Sequence, residues 1–373
     1  MENAVRRSIF CRRDVSMKKR MHLFLIMATM FTLVTGCSFG SGNGNANADR
    51  KIGVAMPAKE LQRWNQDGAN MKKELEEAGY TVDLQYASND IATQVSQVEN
   101  MINSGCKVLV IASIEGDSLD TVLAQAKEKD IKVIAYDRLI MNSDAVSYYA
   151  TFDNYMVGTR QGEYIEEQLD LKSGKGPYNI ELVTGDPGDN NARYFFGGAM
   201  DVLQKYIDGG QLIVQSGQTS FETVATANWS TEAAQARFDS IIAAFYANGT
   251  NLDAVLCSND SVALGVTNSL EANYTGAWPI ITGQDCDIVN VKNMIAGKQA
   301  MSIFKDTRTL ASKVVEMVDA IMENREAPVN DTTTYNNGII VVPSYLCEPV
   351  FADKDNYKEL LVNSGYYTED QLQ

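Results

Sequence analysis

Short apolar segments that end abruptly in polar or charged residues recur along this chain. Residues 133–136 run directly into Asp137 and Arg138. Residues 301–304 run into Lys305 in the same way. Short continuous apolar runs between helical patterns are typical of buried parallel strands, and open parallel sheets bind ligands beyond the carboxyl ends of their strands. The pattern therefore predicts an α/β fold with a ligand site at these strand ends.

Amphipathic helical patterns separate the apolar segments, and the strands form two series. Residues 60–78 and 90–104 read as helices that each end at a glycine, and Asp260 is predicted to cap a helix over 261–272. Alternating strands and helices favour right-handed parallel units and two doubly wound parallel-sheet lobes. The predicted strands are 51–56, 81–87, 107–113, 132–137 and 147–152 in the first series, 179–184, 212–216, 254–258, 280–283 and 301–304 in the second, and a late strand at 339–342.

Residues 1–36 have the composition of an export signal rather than of folded structure. Seven Lys or Arg residues precede the apolar stretch 23–31, which is too short to span a bilayer. Small residues then precede Cys37, and this segment resembles the lipobox of bacterial lipoproteins, in which the cysteine is lipidated after cleavage. We therefore expect an extracytoplasmic protein that meets the membrane only through its N-terminal lipid. A plain signal peptide is the alternative for this segment, and Met17 is an alternative start.

Residues 37–50 are rich in Gly, Asn and Ser, which predicts a flexible tether between the lipid and the folded part. No long apolar span follows the tether. Two domains are expected from the length of the remaining chain, since a single core seldom grows that large.

The charge and the histidine content exclude several classes of function. The formal net charge is −16, and residues 1–36 hold seven basic but only two acidic residues. A protein this acidic is a poor binder of nucleic acids or anionic membranes. The only histidine, His22, lies in the predicted signal, so the mature protein lacks His-based nucleophile pairs and His-based metal sites. No cofactor or metal is expected.

The cysteines that follow the predicted lipid site predict buried free thiols, because none lies in a C-x-x-C pair and most lie in apolar runs. A Cys257–Cys286 bridge is left open, since spacing alone does not decide pairing. These cysteines are Cys106, Cys257, Cys286 and Cys347.

The residues that follow the predicted strands share one kind of chemistry: carboxylates, amides, cations and two indoles. A sugar hydroxyl both donates and accepts, which Asp or Asn acceptors beside Arg, Lys or Asn donors satisfy. The apolar face of a pyranose can lie on an indole. A phosphate ligand is not expected, because no phosphate-binding glycine motif follows a strand. The candidate ligand-binding residues are Arg63, Trp64, Asp137, Arg138, Asn190, Asn191, Trp229, Asn259, Asp285 and Lys305.

Each candidate also has a purely structural interpretation. Asp137 could cap a helix, as we predict for Asp260, and Arg138 could pair with a surface acid. Trp64 could pack in the core, and Trp229 could anchor a loop. The joint pattern favours function, because all the candidates lie at the edge of the sheets where ligands bind.

Several longer motifs resemble the periplasmic sugar-binding proteins of type I fold, and within them the ChvE-type multiple-monosaccharide-binding proteins and the D-xylose-binding proteins. The resemblance runs from about residue 51 to the C-terminus. It implies a reversible sugar receptor that feeds an ABC importer. The motifs are Met56-Pro57-x-Lys59-x-x-x-Arg63-Trp64 and residues 132–140, 147–154, 189–192, 283–285, 303–308 and 341–346.

The resemblance also implies a division of the chain and a set of sugar contacts. It implies a first lobe of residues 51–152 and 307–343 and a second of 153–306 and 344–373, joined by a three-segment hinge. Asn228 stands where ChvE-type relatives carry Arg, while Asn259 matches the xylose-binding form, so the sugar spectrum stays open. The implied contacts are Arg63, Asp137, Arg138, Asn191, Trp229, Asn259, Asp285 and Lys305, with Trp64 and Asn190 as their neighbours.

Three other functions fit parts of the pattern. A sugar-sensing partner of a membrane chemoreceptor or sensor kinase is compatible with the same site. A glycoside hydrolase would need two carboxylates about 5–10 Å apart, for which Asp137 and Asp285 are the candidates. A LacI-type repressor shares the fold, but the export signal and the lack of a basic DNA-binding segment argue against it.

Overall fold

A computed structural model describes residues 50–373. The predicted signal peptide, Cys37 and residues 38–49 lie outside the described residues. Among the residues that are described, no helix combines the length and the apolar character needed to cross a membrane.

The first lobe is built on a six-stranded, fully parallel sheet with the order β11-β5-β4-β3-β1-β2. Its central strands β3 and β4 are buried almost throughout, as a sheet covered on both faces requires. Its elements are β1 (Lys51–Met56), α1 (Gln62–Glu77), β2 (Thr81–Tyr86), α2 (Ile91–Asn103), β3 (Val108–Ile111), α3 (Asp120–Glu128), β4 (Lys132–Tyr136), β5 (Val146–Phe152), α10 (Thr307–Met322) and β11 (Ser344–Cys347).

The second lobe is built on a four-stranded parallel sheet with the order β7-β6-β8-β9. A bridge between Gln284 and Ile303 joins it to the antiparallel pair of β10 and β12. Its elements are α4 (Asn154–Gln168), β6 (Tyr178–Val183), α5 (Asn190–Asp208), β7 (Leu212–Ile213), α6 (Phe221–Val224), α7 (Thr231–Ile241), β8 (Ala254–Cys257), α8 (Asp260–Asn273), β9 (Ile280–Ile281), α9 (Ile288–Ile295), β10 (Met301–Phe304) and β12 (Val350–Asp353). The predicted α/β class with two doubly wound lobes is confirmed.

The chain passes between the two sheets at three places: after β5, after β10, and between β11 and β12. The last passage differs from the sequence-based division, which assigned residues 344–373 to the second lobe. Ser344–Cys347 instead pairs in parallel with β5. The chain leaves the first sheet only at residues 348–349, because β12 pairs with β10 of the second lobe.

The predicted strand at 339–342 is wrong. The side chain of Asn337 accepts hydrogen bonds from the backbone N–H groups of Ile339 and Ile340, which folds this apolar segment into a turn. Ile339 and Val341 are exposed, so the apolar composition of this segment does not reflect a buried strand. The strand begins only after Pro343.

Capping positions also differ in one place from the sequence analysis. The helix predicted over residues 90–104 is α2, and Asp90 caps it, because the Asp90 carboxylate accepts a hydrogen bond from Thr93 N at 2.7 Å. Asp260, however, is not a cap. Asn259 caps α8 by accepting from Val262 N at 3.0 Å, and Asp260 is the first helical residue with a fully buried carboxylate.

Helix α5 is held close to α4, and this contact places the start of α5 at the cleft between the lobes. At Gly158 of α4, an added Cβ would lie 1.9 Å from the backbone oxygen of Phe195 on α5. Only glycine allows so close an approach of the two backbones. The four cysteines of the described chain are buried and free, as predicted, so no Cys257–Cys286 bridge forms.

Candidate functional site

A cavity lies between the lobes at the carboxyl ends of their strands. Nine of the ten candidate ligand-binding residues line it. Its lining residues are Leu61, Arg63, Trp64, Asp137, Arg138, Asp189, Asn191, Phe195, Trp229, Asn259, Ser261, Gln284, Asp285, Asp287 and Lys305.

Arg63 is the most highly connected cation of the cavity. It lies in the first turn of α1 and is buried, and its Nε donates to Asp67 at 2.5 Å. Its Nη2 donates to Asp137 of the first lobe at 2.9 Å, and its Nη1 donates to Asp285 of the second lobe at 3.0 Å. One guanidinium therefore joins the two lobes through a planar fork of donors.

Lys305 adds a second cation to the same two carboxylates. Its Nζ lies 3.6 Å from Asp137 Oδ2 and 3.3 Å from Asp285 Oδ1. Burial would raise the pKa of Asp137, but Lys305, Arg63 and Arg138 outweigh it and hold that pKa below its usual value. Two cations and two carboxylates thus alternate across the cleft and nearly balance in charge.

Beneath Arg63, Asp67 forms the base of this arrangement. Its carboxylate is fully buried and accepts from the Tyr136 hydroxyl at 2.5 Å as well as from Arg63. Burial raises the pKa of Asp67 to about 6, against the opposing effect of Arg63. These bonds fix the orientation of the guanidinium.

Arg138 and Asp189 form a second pair that crosses the cleft. Arg138 Nε lies 3.0 Å from Asp189 Oδ2, and its Nη1 donates to the backbone oxygens of Ser113 and Ile114 at 3.1 Å. The Arg138 guanidinium also lies 5.0 Å from the centre of the Trp64 ring, within range of a cation–π contact. Burial raises the pKa of Asp189, with Arg138 opposing that effect.

Trp229 presents a fixed indole to the cavity. Its Nε1 donates to Asp189 at 3.2 Å, and its ring packs edge-on against Phe195 with 6.2 Å between centroids. The ring also lies against Gly185, where an added Cβ would fall 2.0 Å from it. The indole is buried and held on several sides, as a stacking surface for a ligand needs to be.

The two asparagines of the cavity differ in how much of their amide is free. Asn191 Nδ2 donates to the backbone oxygen of Asp137 at 2.6 Å, and its Oδ1 accepts from Tyr149 and Asn154. Its amide is therefore used largely in holding the two lobes together. Asn259 uses its oxygen as the cap of α8, which leaves its Nδ2 as a donor facing the cavity.

Three of the cavity residues have a strained backbone conformation. Asp137 has φ of 58°, Trp229 has φ of 54° and Asp285 has φ of 98°, all in the left-handed region that non-glycine residues seldom adopt. Such conformations cluster at functional sites, where interactions with the surrounding structure offset their unfavourable conformational free energy. The tightly bonded carboxylates and indole supply that surrounding structure here.

A layer of acidic groups lies on the second-lobe side of the cavity. Asp260 accepts from Gln299, Ser302 and the backbone N–H of Asp287, and burial raises its pKa well above the usual value. Burial and the neighbouring Asp285 raise the pKa of Asp287 to about 7. Asp287 Oδ1 is buried and has no hydrogen-bond partner among the described residues.

Asn190 is the one candidate that the structure sets apart from the others. It contributes to a separate depression that includes Gly116, Asp117 and Arg193. The neighbouring Asn191 faces the cavity instead, because successive residues of a helix point about 100° apart.

The cavity also includes six residues that were not among the candidates. Asp189 and Asp287 lie within two residues of predicted positions, so the strand-end rule could have included them. Phe195 lies one helical turn after Asn191 and therefore on the same face of α5. The six are Leu61, Asp189, Phe195, Ser261, Gln284 and Asp287. Within residues 50–373, no group of three or more His, Cys, Asp or Glu side chains is arranged to hold a metal ion.

Comparisons with known proteins agree with this architecture. Residues 52–326 match the family described as periplasmic binding protein domain. The multiple sugar-binding periplasmic receptor ChvE of Rhizobium radiobacter is 52% identical over 325 residues, which is 86% of this chain and 92% of that protein. The D-xylose-binding periplasmic protein of Escherichia coli K12 is 36% identical over 86% of this chain and 92% of its own length.

A solved structure gives a further similarity. An ABC transporter solute-binding protein from Clostridium phytofermentans, with bound β-D-glucose, is 76% identical and superposes with a TM-score of 0.86. The similarity covers 87% of this chain and 100% of that one. A galactofuranose-binding protein at 18% identity and a TM-score of 0.71 shares the fold alone.

Proposed function

We propose, from the premise that this chain belongs to the periplasmic binding protein domain family, that it is an extracytoplasmic sugar-binding protein. Its ligand is a monosaccharide of the xylose, glucose, galactose or arabinose type, bound as the lobes close and delivered to an ABC importer. The observation that carries this proposal is the array of Arg63, Lys305, Asp137 and Asp285, which both lobes contribute to one cavity. The family membership confirms the type I fold that the sequence motifs implied.

The chemistry of the array suits an uncharged polyol. Each sugar hydroxyl can donate to Asp137 or Asp285 and accept from Arg63, Lys305 or the free amide of Asn259. Because the cations and carboxylates already compensate one another, an uncharged ligand leaves the buried charges balanced. The Trp229 indole offers an apolar surface to the C–H face of the ring.

Closure of the lobes is the mechanism that we propose for binding. The three passages of the chain between the sheets form the hinge, and the contacts from Arg63 to Asp285 and from Arg138 to Asp189 span the cleft. A sugar that touches both lobes binds the closed form more tightly and shifts the population toward it. The closed surface is then the form that the importer recognises.

The lipid anchor at Cys37 is part of the same proposal. The short apolar stretch and the small residues before Cys37 support it, and the tether would let the folded part reach a permease. Mass spectrometry of the protein from a membrane fraction tests it. A diacylated N-terminal Cys37 is expected, while a cleaved and unmodified N-terminus in the soluble fraction would contradict the anchor.

For the pair of carboxylates considered above as a hydrolytic pair, Asp137 and Asp285, the state of Asp137 favours binding over hydrolysis. A glycoside hydrolase needs one carboxyl group that keeps its proton near neutral pH. Asp137 does the opposite, because Lys305, Arg63 and Arg138 hold its pKa below the usual value despite its burial. Both carboxylates also share the same two cations, as hydrogen-bonding clamps would.

A thermal-shift panel of pentoses and hexoses on the purified protein tests the proposal. A cognate sugar at 100 times its dissociation constant stabilises the protein by about 2.7 kcal/mol. We expect at least one of xylose, glucose, galactose and arabinose to do so. No shift with any simple sugar would overturn the proposal.

A further inference from the structure

Asp287 lines the cavity, but its carboxylate has no partner in the protein. In the described part of the chain, neither of its carboxylate oxygens takes part in a hydrogen bond or an ion pair, and its Oδ1 is buried. The other carboxylates of the cavity differ, because Asp137, Asp189 and Asp285 each pair with a cation. A buried polar atom without a partner is costly, so the Asp287 carboxylate is a candidate for a hydrogen bond with a bound molecule.

Asp287 occupies the N-cap position of α9 but does not cap that helix. Aspartate is among the preferred N-cap residues, because its carboxylate can accept from a backbone N–H of the first turn. The Asp287 side chain makes no such bond. The N–H of Ile288 instead donates to Oε1 of Gln62, which lies on α1 of the first lobe, at 3.2 Å. With the lobes together, α9 therefore receives an acceptor from the other lobe, and the Asp287 carboxylate is left free at the cavity.

A second free polar group lies near Asp287. Asp260 Oδ2 accepts from the backbone N–H of Asp287 at 2.8 Å, which holds the start of α8 against the start of α9. Ser261 follows Asp260 in α8 and also lines the cavity. The Ser261 residue is only 7% exposed, and its hydroxyl has no hydrogen-bond partner among the residues that the structure describes. Together with the free Nδ2 of Asn259, these groups give this side of the cavity donors and acceptors that the protein itself leaves unused.

The surroundings of Asp287 suit a hydroxyl group rather than a cation. Arg63 and Lys305 line the same cavity, so a cationic group of a ligand would be repelled. A hydroxyl donates to a charged carboxylate and accepts from a neutral one, so it pairs with Asp287 in either protonation state. Both states occur near neutral pH, because burial and Asp285 raise the pKa of Asp287 to about 7. The hydroxyl of a neutral sugar therefore fits this group.

We propose that Asp287 is a further ligand-binding residue, which pairs with one hydroxyl of the sugar and makes that hydroxyl a requirement for tight binding. This inference rests on the proposed sugar-binding function. It deepens that function, because it assigns a specificity-determining group to the second lobe beyond the array of two cations and two carboxylates. A sugar that lacks the hydroxyl leaves the Asp287 carboxylate unsatisfied and is bound less tightly.

A double-mutant cycle between Asp287 and the sugar hydroxyls tests the inference. Isothermal titration calorimetry measures the binding of the parent sugar, which is the tighter-bound of D-glucose and D-xylose, and of each of its monodeoxy derivatives. We expect Asp287→Ala to weaken the parent sugar at least about tenfold. We expect one derivative to bind the wild-type protein at least about tenfold more weakly than the parent. That derivative and the parent should bind Asp287→Ala with affinities within about twofold of each other, because the lost contact is the same.

Two further variants support the cycle. Asp287→Asn keeps the shape of the side chain and one hydrogen-bonding oxygen, so it should show the same selective loss on a smaller scale of about threefold. Asp370→Ala is the matched control, because Asp370 is an exposed aspartate without a partner in the described chain and lies outside the cavity. Asp370→Ala should leave the affinity for every sugar unchanged.

The outcomes separate this inference from the proposed function. Equal weakening of the parent sugar and all its derivatives in both Asp287 variants would overturn the inference and leave the function intact, because Asp287 would then act through the fold and not through a hydroxyl. Unchanged affinity of Asp287→Ala for the parent sugar would overturn it in the same way. Absence of heat when D-glucose and D-xylose are titrated into the wild-type protein would overturn both.

Discussion

At the scale of single residues, Asp285 and Asp137 carry the proposed recognition, because each is shared by Arg63 and Lys305 across the cleft. These four residues were among the candidates that follow predicted strands, and the structure places them in one cavity. The partners of each group were not predictable, since they depend on how the lobes meet. Asn259 shows the same limit: its place at a strand end predicted a site residue, but not that its oxygen would cap α8 in place of Asp260.

Asp285→Asn keeps the size of the side chain and removes its charge. We expect a loss of sugar affinity of about 10- to 100-fold, since a hydrogen bond to a charged group contributes about 1.5–3 kcal/mol. Calorimetric titration of the cognate sugar measures the change. Asp144→Asn, at an exposed residue paired with Lys127, is the control and should leave affinity unchanged. Unchanged affinity in Asp285→Asn would remove this carboxylate from the site.

Asp287 should make the protein less stable as the pH rises. Its pKa is raised to about 7 by burial and by Asp285, so the folded protein holds a proton that the unfolded chain loses above about pH 4. Stability from this residue is full at low pH and is lost as the pH rises toward 7. Asp287→Asn should therefore stabilise the protein at pH 8, by on the order of 1–2 kcal/mol, and change it little at pH 4.5. Urea unfolding at both pH values tests this, and an equal effect at the two would contradict it.

At the scale of helices and strands, the hydrophobic pattern predicted the buried elements well and the edges poorly. The segments 51–56 and 301–304 match β1 and β10, because buried parallel strands are continuous apolar runs. Strand β12 was missed, since its first two residues are exposed and it pairs only at an edge. The segment 339–342 was wrongly predicted to be a strand. Its backbone N–H groups at Ile339 and Ile340 donate to the side chain of Asn337 and not to a neighbouring strand.

The contact of α4 with α5 gives a prediction at this scale. Gly158→Ala should destabilise the protein by about 1–3 kcal/mol, because the new Cβ meets the Phe195 backbone and forces the helices apart. Sugar affinity should fall as well, since Asn191 and Phe195 of α5 line the cavity.

Chemical denaturation measures the first effect and calorimetry the second. Gly197→Ala is the matched control, as the nearest side-chain atom to its added Cβ is 3.9 Å away and alanine favours helix. A Gly158→Ala variant as stable as Gly197→Ala would show that the close approach is not needed.

At the scale of the whole molecule, the sequence predicted two lobes but placed the final passage between them a few residues too early. β11 pairs with β5, although the two strands lie nearly 200 residues apart in the chain. A local sequence pattern cannot predict such a long-range pairing. The C-terminal segment also proves to link the lobes. The Tyr367 hydroxyl accepts from Gln62 of α1 at 2.6 Å and donates to the Cys286 oxygen at 2.9 Å.

Tyr367→Phe should weaken sugar binding although Tyr367 does not line the cavity. It removes hydrogen bonds between α1 and the second lobe, which contribute about 1 kcal/mol to the closed form, so affinity should fall about fivefold. Calorimetry measures the loss, and Tyr178→Phe, at a position remote from the cleft on β6, is the control. Equal affinities in the two variants would show that this contact does not bias closure.

Titration of glucose and xylose into the purified protein, followed by recovery of the sugar and its analysis by NMR, tests the central claim most directly. We expect saturable binding of at least one of the two at one site per chain, with the sugar recovered chemically unchanged. Absence of heat with both sugars, or recovery of an altered sugar, would contradict a reversible binding site between the lobes.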